Sequence, residues 1–383
     1  MSTFRGRLEA EIRQAGGYAH PEPVSYEQPS RPLIFPDMPD RYEPIEDLLD
    51  RCSKHYQRER DYRDAANWQQ IKVNDDLPIG IALMGDPHID DPGCNIPLLR
   101  RDVEIIKETP GCYALNVGDY TNNWVGRLAR LFGNQELSQA SARRLVEWFL
   151  LESGMTWLAV ILGNHDEWNE GGEIIRRMCA SHVQIPVHDW QAKIELVFPN
   201  KEVCRINAAH DFKGRSMYTP LHGLKRETIW HQDGAHLMVA GHIHFGGIEQ
   251  CELPGGHNPW LVRVRGYKEM DHHALVSGFH EGIQFPSVMA VVDPAAPPSE
   301  RVMVFGSLAQ GAAVLSSLRA LRRASQAPGS AAKARRKSSK SRSQPSRGRK
   351  QSRSNRGASP SQGRNNKRAA SQGRQSRSRQ ARA

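Results

Sequence analysis

The chain has 383 residues, with 52 Lys+Arg against 42 Asp+Glu and six cysteines that form no C-x-x-C pair. Its +10 charge describes neither of its parts: from Arg319 onward there are 21 Lys+Arg and no Asp or Glu, leaving 31 basic and 42 acidic residues, a formal −11, in the remainder. Scattered cysteines argue against a disulfide framework or zinc ribbon, and without a span-length apolar run or an h-region after Met1–Arg7 the expectation is a cytoplasmic protein with no membrane partner.

Residues 1–40 carry six prolines among polar side chains and are expected to form a flexible arm. A helix is expected from Pro44 to about Gln70, where Ile45, Leu48, Leu49 and Cys52 recur at helical spacing. It reads as a solvated helix packed on the body rather than one that reads DNA, because it has no helix-turn-helix glycine and little net positive charge. The first core strand is 79–84, followed by a helix through Leu98, Leu99, Val103, Ile105 and Ile106. A second strand spans 113–117, with helical segments around 124–132 and from Ser138 to about Leu151. A third strand, 156–162, has no polar break and suits a buried parallel strand. A hairpin (194–198 with 203–209), a helix near 221–230 and strands at 236–240, 248–253, 260–266, 288–292 and 301–305 follow, with a closing helix to about Arg323. Parallel pairing is expected in the first half, and the whole as a four-layer α/β/β/α sandwich of two mixed sheets. The partition is an arm (1–40), a helical segment (41–75), a main domain (76–324) and a disordered basic tail (325–383).

Five polar clusters follow five of the apolar runs: Asp86-x-His88, Gly118-Asp119, Gly163-Asn164-His165-Asp166, His210 and Gly241-His242-x-His244. Just past a strand end, residues two apart can point into one cleft, so Asp-x-His and His-x-His are natural two-ligand units. With His165 set aside, the clusters offer two aspartates, one asparagine and four histidines. That supply suits two metal ions sharing a bridging carboxylate, with positions left for water and substrate.

The ordered set D-x-H, G-D, G-N-H-[DE], H, G-H-x-H resembles the pattern of the calcineurin-like metallophosphoesterase superfamily and, more loosely, its phage and prophage versions. The resemblance covers Asp86 to His244 and neither 1–70 nor the tail. It implies that Asp86, His88 and His244 hold one divalent metal and Asn164, His210 and His242 the other, with Asp119 bridging and His165 protonating the leaving oxygen. A metal-bound hydroxide would attack phosphorus in line. Mixed N/O ligands without thiolate suit Mn, Fe or Zn. Phosphoprotein phosphatases of this superfamily read G-D-x-x-D; here Asn122 takes the place of the second Asp, and Asn123 that of their phosphate-binding Arg. This disfavours a phosphoprotein phosphatase and leaves Asn122 and Arg127 as candidate substrate contacts.

His182, His188 and His222 read as ordinary hydrogen-bonded histidines, and Asp271-His272-His273 fits no slot of the pattern. The tail, with Ser361-Gln362-Gly363-Arg364 echoed at Ser371-Gln372-Gly373-Arg374, is low in complexity; nucleic acid is its expected partner, ahead of a targeting or charge-screening role. The leading expectation is a metal-dependent phosphodiesterase on nucleic acid or nucleotides. The alternatives are a phosphomonoesterase or protein phosphatase, and a non-catalytic nucleic-acid binder on a phosphoesterase scaffold; oligomeric state is open.

Overall fold

The computed structural model describes residues 41–181, 185–270 and 284–326; the proline-bearing arm, His182, Asp271-His272-His273 and most of the basic tail lie outside these ranges. A charged helix, α1 (Ile45–Ala66), comes first; no residue of it is buried, so its apolar positions are not packed on a core as expected. After it, in chain order, come β1 (Gln69–Lys72), β2 (Ile79–Met84), α2 (Ile96–Glu108), β3 (Cys112–Asn116) and a 3-10 segment (Gly126–Asn134). Then follow α3 (Gln139–Glu147), which widens into a π turn (Trp148–Glu152), β4 (Trp157–Leu162), α4 (Asn164–Glu167), α5 (Gly171–Ala180), β5 (Val187–Asp189), β6 (Gln191–Val197) and β7 (Val203–Ala209). The second half closes with α6 (His222–His231), β8 (Leu237–Ala240), β9 (Gly247–Gln250), β10 (Trp260–Arg263), β11 (Val288–Val292), β12 (Val302–Phe305) and α7 (Leu308–Gln326). The compact unit ends at Ala320, and the last turns of α7 belong to a second unit.

The strands form two mixed six-stranded sheets, β12-β11-β2-β3-β4-β5 and β1-β6-β7-β8-β10-β9. Strands β2 to β5 pair in parallel, and β6 with β7 forms the antiparallel hairpin. Period-two alternation explains the layering. In β2, Ile79, Ile81 and Leu83 point into a core shared with Ile194, Ile206 and Val239 of the other sheet. Ala82 and Met84 point the opposite way, into a core with Leu99 and Val103 of α2, Val146 of α3 and Leu315 of α7. A third cluster, including Phe212, Leu224 and Met238, lies under α6. These three cores are the interfaces of a four-layer α/β/β/α sandwich. Gly80 lies on the helix side of β2, where a Cβ would sit 2.7 Å from Leu315 Cδ2; glycine is what lets α7 approach.

Two edge strands were not expected. Gln69–Lys72 adds to β6 in parallel, aided by Gln70 Nε2 donating to Glu195 Oε1 at 2.8 Å, and Val187–Asp189 adds to β4. The segment near 124–132 is 3-10 rather than α-helical. All six cysteines are free, and no helix among the described residues is long and apolar enough to cross a membrane.

Candidate metal centre

The carboxyl ends of β2, β3 and β4 in one sheet and of β7 and β8 in the other open onto a common region, so five separate sequence clusters converge there. Ligand atoms of Asp86, His88 and His244 lie within 4.8 Å of one another, and so do those of Asp119, His210 and His242. Asp119 faces both sets: its Oδ2 is 3.8 Å from His88 Nε2 and 3.3 Å from His210 Nε2. His165 Nε2 stands 3.9 Å from the same oxygen, and His88, Asp119 and His165 form a third grouping within ligand reach.

Glycine serves a different purpose here from the sharp turn its position in the chain suggests. Gly163 has an extended backbone (φ −98°, ψ −177°), but a Cβ on it would run into the Asp119 carboxylate, and one on Gly241 would run into Asp86. The strain sits instead on the candidate ligands. Asp86, His88, Asp119, His242 and His244 all have positive φ, from 38° to 72°. Each such residue costs roughly 1–3 kcal/mol, and conformations of this kind cluster at functional sites.

Hydrogen bonds define the tautomers. His210 Nδ1 lies 2.8 Å from the Val117 carbonyl, to which it can only donate, so Nε2 is the nitrogen left facing the cluster. That Nε2 is 3.0 Å from Asn164 Oδ1 and 3.0 Å from His242 Nδ1, besides its approach to Asp119. Four potential ligand atoms therefore crowd together. Burial alone would lower the His210 pKa, but Asp119 and Asp86 outweigh it and lift it to about 9. His88 is buried with both ring nitrogens unpartnered, and burial followed by the neighbouring His165 and His244 pushes its pKa well below the usual value. A neutral imidazole with no protein partner, facing a carboxylate, is what a cation requires. The residues present could hold metal ions.

His165 is oriented through the main chain. Its Nδ1 donates to the Asn122 carbonyl at 2.5 Å, so Nε2 is the atom turned toward Asp119, and its own amide donates to Asp119 Oδ1 at 2.9 Å. Asn122 is fixed in turn by two carboxylates: its amide donates to Asp90 Oδ1 and its Nδ2 to Asp91 Oδ2, both at 2.8 Å. The Asn122 Nδ2 is thus engaged with Asp91, while the residue lines the cleft. Arg127 is exposed on the 3-10 segment and does not line the cleft; Arg215 and Lys268 do. Arg215 Nη2 lies 3.4 Å from His242 Nε2, and Lys268 Nζ pairs with Asp91 at 3.0 Å.

Further residues hold the loops together. Asp166, 2% exposed, accepts from the amides of Asp119 (2.7 Å), Gly163 (2.8 Å) and Tyr120 (3.0 Å). Burial and the Asp119 charge raise its pKa, against the pull of these donors. Arg263, 1% exposed, ties the Pro220 and Gly241 carbonyls to Asp211. Asp86 receives the His242 amide on both oxygens at 2.9 Å, linking β2 of one sheet to β8 of the other. Asp166 was visible in the Asn164-His165-Asp166 run without a role, and Asp90-Asp91 lie beside Asp-x-His; Arg215, Arg263 and Lys268 carried no local signal. The centre opens into a cleft of about 1200 Å³, lined by Trp124, Leu128 and Leu131 after β3 and by Arg215, Tyr218 and Phe245 after β7 and β8.

No family model and no curated protein matches the chain. In fold it is similar to wild-type Vps29 from Entamoeba histolytica, solved complexed with zinc, at 10% identity over 59% of this chain and 97% of that one, with a TM-score of 0.33. It is also similar to AQ665 of Aquifex aeolicus, a protein of unknown function, at 14% identity over 47% of this chain and 83% of that one, with a TM-score of 0.26.

Proposed function

We propose that this protein is a metallophosphoesterase, a phosphoric ester hydrolase that works with two divalent ions and acts on phosphodiesters of nucleic acid or nucleotides. The observation that carries this reading is the approach of Asn164 Oδ1, His242 Nδ1 and Asp119 Oδ2 to 3.0, 3.0 and 3.3 Å from His210 Nε2, beside a buried His88 whose ring nitrogens have no hydrogen-bond partner. Asp86, His88 and His244 would hold one ion and Asn164, His210 and His242 the other, with Asp119 facing both. When bound, such a pair supplies water acidified toward neutrality and positive charge for the phosphoryl oxygens.

The protein's own part is orientation and proton transfer. His165, 14% exposed, turns Nε2 to the cleft and keeps Nδ1–H on the Asn122 carbonyl, so it can deliver a proton to a departing oxygen and recover a defined tautomer. Arg215 brings a cation to the cleft beside His242, where an anionic substrate would be drawn. The basic tail adds sequence-independent attraction to a polyanion, which favours a diester in a nucleic acid over a small monoester.

The test is a panel of bis-p-nitrophenyl phosphate, p-nitrophenyl phosphate and labelled single- and double-stranded DNA, with manganese and with chelator. Metal-dependent diester turnover that disappears in His165→Ala is expected. Preferential turnover of the monoester would move the reading to a phosphomonoesterase. DNA binding by a full-length chain that hydrolyses nothing would make it a binding scaffold.

A further inference from the structure

The side of the cleft next to His165 has a character that metal binding does not explain. The Trp124 ring centroid lies 5.3 Å from that of His165, edge to face, and Lys268 Nζ sits 5.7 Å from the Trp124 ring. Leu128 and Leu131 follow along the 3-10 segment and line the same cleft. A wall of indole and leucine beside the group that protonates the leaving oxygen meets the leaving group and not the attacking water. A small polar alcohol would leave this wall wet, whereas a flat group would cover the indole and replace that water.

We infer that the Trp124, Leu128 and Leu131 wall seats the departing half of the substrate, and that this half is a nucleoside stacked on Trp124. The inference rests on the hydrolase reading above and names what that site accepts. Phosphotyrosine would also present a flat leaving group. The cleft, at about 1200 Å³, is far larger than a phenol, however, and Tyr218 and Phe245 line it from the elements after β7 and β8, so there is room for a second organic group on phosphorus. Both features fit a diester. In the reaction, the oxygen of water bonds to phosphorus, the phosphorus–oxygen bond to the seated nucleoside breaks, and the proton on His165 Nε2 passes to the departing oxygen. One proton of the water stays on the product phosphate, and the other, lost to solvent, is balanced by the proton His165 takes back from solvent.

A mixed diester makes the seat visible. Nucleoside methyl phosphate can release nucleoside plus methyl phosphate, or methanol plus nucleotide. The inference requires nucleoside as the main product. Trp124→Ala should lower nucleoside release by about tenfold or more, the scale of a base stack lost to alanine, while Trp124→Phe retains most of it. A readout independent of turnover is saturation-transfer NMR of adenosine with chelator-treated protein, in which transfer to the base should weaken in Trp124→Ala and persist in Trp124→Phe. Melting curves of both variants establish that they are folded. Methanol as the main product, nucleoside release indifferent to Trp124→Ala, or faster release of phosphate from a phosphotyrosine peptide than of nucleoside would overturn the seat while leaving the hydrolase reading intact. No product from any ester, metal-loaded, would overturn both.

Discussion

Asp166→Ala removes the carboxylate that ties the β3 and β4 loops together without replacing any proposed ligand side chain. It leaves three buried amides, those of Asp119, Tyr120 and Gly163, without acceptors. Bonds to a charged acceptor are worth about 1.5–3 kcal/mol each, and partial re-solvation of the amides returns some of that, so a loss of about 3–5 kcal/mol is expected. Set against a typical total of about 5–15 kcal/mol, this is a large fraction of the stability. Asp166→Asn keeps one acceptor oxygen and should lose about half as much. The assay is urea unfolding in chelator, where metal cannot compensate, with the change read from the midpoint at unchanged slope. Because the released loops carry Asp119 and Asn164, metal affinity should also fall by about 10–100-fold. A loss under about 1 kcal/mol for Asp166→Ala, or equal losses for the two variants, would refute the account of how these loops are held.

Three further outcomes follow from the same geometry. His88→Leu should abolish metal binding at its half of the centre, by elemental analysis, yet raise the metal-free melting temperature, because two orphaned ring nitrogens leave the core; a lower metal-free melting point would contradict it. His236 is held down to about 4, by burial first and then by His257, Arg301 and Arg205, while its Nδ1 accepts the Arg205 amide at 3.0 Å. Its contribution is complete above the unfolded value near 6.5. As pH falls from there toward 4 the unfolded chain binds a proton the folded one refuses, so stability declines, and His236→Gln should reduce that decline in urea midpoints at pH 7.5 and 5. Finally, a chain ending at Gln326 should bind DNA at least about 100-fold more weakly at low salt, and the full chain's affinity should fall steeply as salt rises; equal binding by the two would remove the tail from the interface.

Much of this could be read before any coordinates, for a definable reason. Buried strands such as β2 and β4 are unbroken apolar runs, and a ligand at a strand's carboxyl end follows its run directly, so Asp86, Asn164 and His242 announce themselves in order. The edge strands did not, because Gln69–Lys72 and Val187–Asp189 are short and half-polar and become strands only through the neighbours they pair with. Asn122 shows a second limit. In the sequence it stood out only as a replacement for a second Asp, whereas what reaches His165 is its carbonyl, an atom every residue carries. Arg127 was the nearest cation in sequence to the Asp119 loop, but Arg215 reaches the site by a route set entirely by how β7 connects to α6.

The ligands also divide between the two sheets: Asp86, His88, Asp119 and Asn164 come from one, His210, His242 and His244 from the other. A bound metal would therefore clasp two slabs otherwise joined by an apolar interface and by hydrogen bonds such as those from the His242 amide to Asp86, and a small slide of one slab over the other would detune the proposed centre. Thermal denaturation should track free metal concentration accordingly, with the midpoint climbing as RT ln(1 + [M]/Kd).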